Sequence, residues 1–241
     1  MANTWFQFKQ FRIEQDRCAM KVTQDAVLFG SWVIEQCRGD NLQHILDIGT
    51  GTGLLSLMLA QELPAAMLTA IELDAEASVQ AAENVRESPW KDRVCVVHED
   101  VFPFAERHPS SFDVIICNPP FFSDHQKNPD GREALARHST RDWHSRLVQT
   151  MERMLTPAGS AFLLIPATEH LHFQGFFEKS TLLETSICSV RKNATAAVSR
   201  LFLRLQRKDN SSYRSEIAVH TSNGSLSGEA VTLLRPFNLY L

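Results

Sequence analysis

A chain of 241 residues is long enough for one large α/β domain and too short for two generous ones. With 44% hydrophobic and 22% charged residues and no 20-residue apolar span, it reads as a globular protein without a transmembrane helix, and residues 1–11 contain no apolar stretch of the kind a signal peptide needs. Five scattered cysteines without a Cys-x-x-Cys pair argue against a disulfide framework or a zinc site and for a reducing cytoplasm, and a net charge of −4 leaves any contact with nucleic acid to local basic faces.

Along the chain, short apolar runs alternate with longer amphipathic segments, the pattern of a mostly parallel sheet covered by helices. A lead-in with a helix occupies 1–44, an expected catalytic core 45–207, and an extension 208–241, all within one domain. Strands are expected at 45–48, 67–73, 94–98, 112–117 and 160–165, with further strands at 183–190, 200–206 and 213–220. The run Val-Ile-Ile-Cys at 114–117 is apolar at successive positions, as a strand buried on both faces should be. Helices are expected at 54–62, 75–87 and 142–155, closed by Pro64, by Pro89 and by Pro157 with Gly159.

Asp47, Gly49, Gly51 and Gly53 follow the first strand and lead into the first of those helices. Glycines permit a sharp turn and a close approach of ligand to backbone. The dinucleotide fingerprint needs its third glycine one position later, where Leu54 stands, and no Gly-Lys-Ser/Thr follows for a phosphate loop. An acid before the loop suits a nucleoside ligand. Glu72 ends the second strand, where a carboxylate can accept two ribose hydroxyls, and Leu73 beside it can pack on an adenine face. Asp100 ends the third strand with Val101 next to it, placed for the amino group of the same adenine.

Asn118, Pro119, Pro120 and Phe121 come directly after the fourth strand. Two prolines remove two N–H donors and stiffen the turn. What remains is rich in acceptors: the Asn118 side-chain oxygen and the Pro119 carbonyl can take both hydrogens of one planar NH2 group. An exocyclic amine is a poor nucleophile because its lone pair is delocalised, and two acceptors in a tetrahedral arrangement localise that pair. Phe121 offers a plane on which a flipped-out base can stack.

These motifs resemble those of class I S-adenosylmethionine-dependent methyltransferases that act on amino nitrogens. The resemblance implies a Rossmann-like α/β fold with a mostly parallel seven-stranded sheet and helices on both faces. It implies that Asp47 and the three glycines, Glu72, Leu73, Asp100, Val101 and Lys21 hold S-adenosylmethionine, and that Asn118, Pro119 and Phe121 hold the target. The ends of the chain are similar to the bacterial tRNA1(Val) adenine-N6 methyltransferases: the run 16–22 (Asp-Arg-Cys-Ala-Met-Lys-Val), Ser88-Pro89-Trp90, and the tail 236–241 (Pro-Phe-Asn-Leu-Tyr-Leu). That family implies adenosine 37 of a valine tRNA as substrate. The RNA is then expected over the N-terminal basic residues and the basic segment 127–146, with Pro120, Arg132, Arg137 and His138 as substrate contacts. The chain departs from the family pattern at Thr23 and Gln24, and has Phe121 where tyrosine is common. The core motifs alone also suit a protein glutamine or an rRNA guanine-N2 as target, or a scaffold that binds the cofactor without catalysis. Neither a metal nor a membrane enters the expectation, and the sequence says nothing of oligomeric state.

Overall fold

The computed structural model describes residues 3–120, 132–207 and 212–240, with the backbone alone for 132–141. Two short strands, β1 (Trp5–Gln7) and β2 (Arg12–Glu14), pair antiparallel at the start. The sequence reading contains neither, because three residues are too few to show an alternation. Helix α1 (Gln24–Gln36) follows, its first turn capped by Thr23, whose hydroxyl accepts from the Ala26 N–H.

The main sheet then builds by alternation: β3 (His44–Ile48), α2 (Leu54–Glu62), β4 (Met67–Glu72), α3 (Ala75–Arg86), β5 (Val94–His98), α4 (Val101–Arg107) and β6 (Phe112–Cys117). Helix α5 (Arg132–Met154) leads into β7 (Leu155–Pro166), and α6 (His170–Phe177) into β8 (Leu183–Asn193), β9 (Val198–Gln206), β10 (Tyr213–His220) and α7 (Gly228–Leu234). Strand order is β10-β8-β9-β7-β6-β3-β4-β5, with β9 antiparallel to both neighbours and every other pair parallel. The sheet therefore has eight strands, one more than the family resemblance implies: β10, at the 213–220 strand expected from the residue pattern, pairs along β8 from Tyr213 opposite Ser186 onward.

Helix α4 is absent from the sequence reading because Pro103 sits inside it. The proline falls in the first turn, where N–H groups have no partner within the helix, so its missing donor costs little. Asp100 caps that helix by accepting from the Phe102 N–H at 2.9 Å.

The strands sort their side chains by parity onto two cores. Ile45, Val114, Ile116, Phe162 and Leu164 join one cluster with α1 and α2; Leu46, Ile115, Leu163 and Ile165 join the other with α4, α5 and α6. On the first face Trp32 stands edge-on to Phe162 at 5.8 Å and beside Phe202 at the same distance. The two ends of the chain meet there as well. Phe8 and Phe237 are both buried, and the Lys9 N–H donates to the Phe237 carbonyl at 2.8 Å. Among the described residues no helix is long and apolar enough to cross a membrane.

Candidate active site

A cavity of about 430 Å³ opens at the carboxyl ends of β3, β4, β5 and β6, where open α/β sheets take ligands. Its floor is the turn after β3. Gly49 and Gly51 have φ of +69° and +56°, and a Cβ on either would meet nothing within 4 Å. Their missing side chains leave open space on the cavity side, a cradle in which a ligand can lie against the main chain.

Glu72 ties this turn to the next strand. Its Oε2 accepts from the Gly51 N–H at 2.8 Å and its Oε1 from the Asp74 N–H at 2.9 Å. Each carboxylate oxygen carries a second lone pair, so Glu72 can brace two loops and still accept hydroxyls from the cavity. Leu73, 65% exposed, offers its side chain at the same rim. Asp100 and Val101, just past the end of the neighbouring strand β5, line the cavity too, as does Lys21, whose ammonium donates to the Asn3 carbonyl at 3.2 Å.

Asp47 and Gly53 stand elsewhere than the sequence reading places them. Neither lines the cavity. Asp47 is buried beneath the loop, and its Oδ2 accepts from the Thr50 and Ser56 hydroxyls at 2.6 and 2.8 Å. Burial pushes its carboxyl up to about 6, with those hydroxyls pulling it down and Glu72 pushing it further up. Gly53 caps α2 in the left-handed region, where an added Cβ would meet Ala81 of α3 at 3.7 Å. Both shape the turn from behind.

Cys117 ends β6 opposite Ile48 of β3, and the chain turns through Asn118, Pro119 and Pro120 on the cavity wall beside the glycine turn. The Asn118 amide nitrogen donates to the Met20 sulfur at 3.5 Å, which leaves its Oδ1 as the acceptor at this corner. Phe121 lies outside the described residues, and Arg132, Arg137 and His138 fall in the first turns of α5, outside the described side chains.

Several lining residues have no role in the sequence reading: Cys18, Met20, Val22, Asp74, Glu99 and Trp143. Half of them belong to the N-terminal segment, which two buried polar side chains of α3 hold over the cavity. Asn84 donates to both the Glu14 and Thr52 carbonyls at 2.9 Å and accepts from the Glu14 N–H; Gln80 accepts from the Arg17 N–H at 3.0 Å. A polar pair on the inner face of an amphipathic helix is the signal that could have found this clasp.

Much of the basic character read from the sequence is used internally. Arg207 donates to the Glu152, Leu155 and Thr156 carbonyls, and Arg204 to the Ser160 hydroxyl over the Phe162 ring. Arg12, Arg17, Arg191 and Arg200 pair with Glu14, Glu83, Glu216 and Asp25.

The methyltransferase small domain family matches residues 24–181. A tRNA1(Val) (adenine(37)-N6)-methyltransferase of Bacteroides thetaiotaomicron is 36% identical over 242 residues, covering all of both chains, and one of Tolumonas auensis is 37% identical over 97% of this chain and 96% of its own. Among solved structures, a predicted O-methyltransferase of Agrobacterium tumefaciens superposes with a TM-score of 0.69 at 16% identity over 88% of this chain and 96% of its own. A ribosomal protein L11 methylase of Lactobacillus delbrueckii gives 0.59 at 16% identity over 82% and 84%. The structural likenesses establish the fold, and the sequence matches establish descent: the chain belongs to the tRNA1(Val) (adenine(37)-N6)-methyltransferase family.

Proposed function

We propose that this protein methylates N6 of an adenosine in tRNA, with adenosine 37 of tRNA1(Val) as the target that its relatives' names carry. The observation that carries the reading is one cavity whose walls hold both the glycine turn with Glu72 and the Asn118-Pro119 corner. A donor of the methyl group and an amine to receive it can therefore meet within one enclosure.

S-adenosylmethionine supplies a sulfonium-activated methyl group. The residues present fit it: an open glycine cradle for its main-chain contacts, Glu72 for its ribose hydroxyls, Leu73 and Val101 for its adenine faces, and Asp100 for the adenine amino group. Lys21 sits at the rim near the N-terminal clasp, while Asp47 and Gly53 act by holding the turn. Asn118 Oδ1 and the Pro119 carbonyl accept the two hydrogens of the target amine, aiming its lone pair away from the ring and stabilising the positive charge that develops on nitrogen. Phe121 stacks the base, and Pro120 keeps the corner free of competing donors. Arg132, Arg137 and His138 are read as RNA contacts.

The whole chain acts as one methyltransferase unit, since β10 and α7 of the extension complete the sheet and core. A tRNA substrate and scattered cysteines without a Cys-x-x-Cys pair support a cytoplasmic setting. The test is transfer of labelled methyl from S-adenosylmethionine to unmodified valine tRNA, followed by nucleoside analysis. N6-methyladenosine is expected from the wild type, with turnover reduced roughly 10²- to 10³-fold in Asn118→Ala, the scale of losing one group that stabilises transition-state charge. Cofactor binding without tRNA methylation would overturn the substrate and turn attention to protein glutamine and rRNA.

A further inference from the structure

His144 is a buried histidine, 2% exposed, on the helix that follows the Asn118–Pro120 corner. Its ring packs against Phe173 at 4.9 Å and edge-on to Trp143 at 5.6 Å. Its Nε2 lies 3.3 Å from the Pro120 carbonyl oxygen. A carbonyl can only accept, so the hydrogen must sit on Nε2. Burial lowers the imidazole's proton affinity, which favours the neutral ring with that one tautomer.

We propose that His144 is a positioning residue for methyl transfer: its Nε2–H holds the Pro120 carbonyl and thereby aims the Pro119 carbonyl at the target amine. The physical reason lies in the two prolines. Neither has an N–H to anchor its peptide plane, so only carbonyls can be gripped. The pyrrolidine ring of Pro120 locks φ, which leaves ψ of Pro120 as the one soft angle between its own carbonyl and that of Pro119. Gripping the second carbonyl therefore sets the direction of the first. Met20 does the equivalent for Asn118 at the other end of the corner, through its sulfur.

The inference rests on the amine-methylating reading above, so its test carries one readout that does not need turnover. His144→Phe keeps an aromatic ring against Phe173 and Trp143 and removes the donor; the exposed Pro120 carbonyl can then take water. His144→Gln restores a donor at a similar reach. Single-turnover methylation of valine tRNA is expected to slow about 10- to 100-fold in His144→Phe, the scale of misplacing a reacting group by roughly an ångström. S-adenosylmethionine affinity and melting temperature should stay near wild type, and His144→Gln should recover most of the rate. In parallel, nitrogen NMR of 15N-histidine-labelled protein, assigned by the signal lost in His144→Phe, should show a neutral ring protonated on Nε2 at pH 7. An unprotonated Nε2, or a wild-type rate in His144→Phe, would overturn the proposal. So would equal slowing in both variants, or loss of cofactor binding and melting temperature along with the rate, which would make the residue a structural one. A wild type inactive on tRNA but showing the Nε2–H tautomer would sink the substrate reading and leave the grip on Pro120 standing.

Discussion

Gly51→Ala tests the glycine cradle by separating a backbone cost from a binding cost. Gly51 has φ of +56°, where a side chain clashes with its own carbonyl at about 1–2 kcal/mol. Nothing else opposes the new methyl in the empty protein, since a Cβ there meets no atom within 4 Å. At this chain length, about 2–4 °C of melting temperature per kcal/mol gives an expected fall of roughly 2–8 °C. Gly39→Ala, in the loop between α1 and β3, has φ of +91° and equally open surroundings, so its melting temperature should fall by a comparable amount. Binding should split the two variants. On the proposed reading the Gly51 methyl projects into the space that cofactor would fill, and overpacking of about 1–3 kcal/mol corresponds to roughly a 5- to 150-fold weaker Kd. Calorimetric titration with S-adenosylmethionine reads this directly. If Gly51→Ala binds within twofold of wild type while its melting temperature falls as expected, cofactor does not lie on that turn.

Asp47 should make stability depend on pH. Its folded-state carboxyl, pushed up to about 6 by burial, holds a proton more tightly than the unfolded chain at about 3.9, so stability present below pH ~4 is lost as pH rises through 6. The loss is on the order of 3 kcal/mol; Asp47→Asn lacks this titration, so urea unfolding across that range should show the variant gaining on wild type, and parallel curves would contradict the burial argument. Phe237→Ala should cost about 3–5 kcal/mol, because the ring is 1% exposed in the core that joins both chain ends; a loss below about 1 kcal/mol in denaturant midpoint analysis would mean the tail is only loosely docked.

The chain's local order was largely legible in its residues. Successive apolar residues at 114–117 announced a strand buried on both faces, and α2 runs over the residues its pattern and Pro64 define. The place of the Asn118–Pro120 corner on the cavity wall could be read because it follows a buried strand directly. Elements with little periodicity were not legible: β1 and β2 are too short, and Pro103 disguised α4.

Tertiary structure decided which groups face the cavity. Asp47 belongs to the sequence motif, yet parity along β3 turns its carboxylate to the α2 side, toward Thr50 and Ser56. Arginines that read as a basic surface are held by backbone carbonyls and acids brought near only by folding. Met20 reaches Asn118 across 98 positions of chain, and His144 reaches Pro120 across 24. Sequence encodes periodicity and turn chemistry because both are set by neighbours within a few residues. Contacts between distant segments depend on how the sheet orders its strands, and no local pattern carries that information.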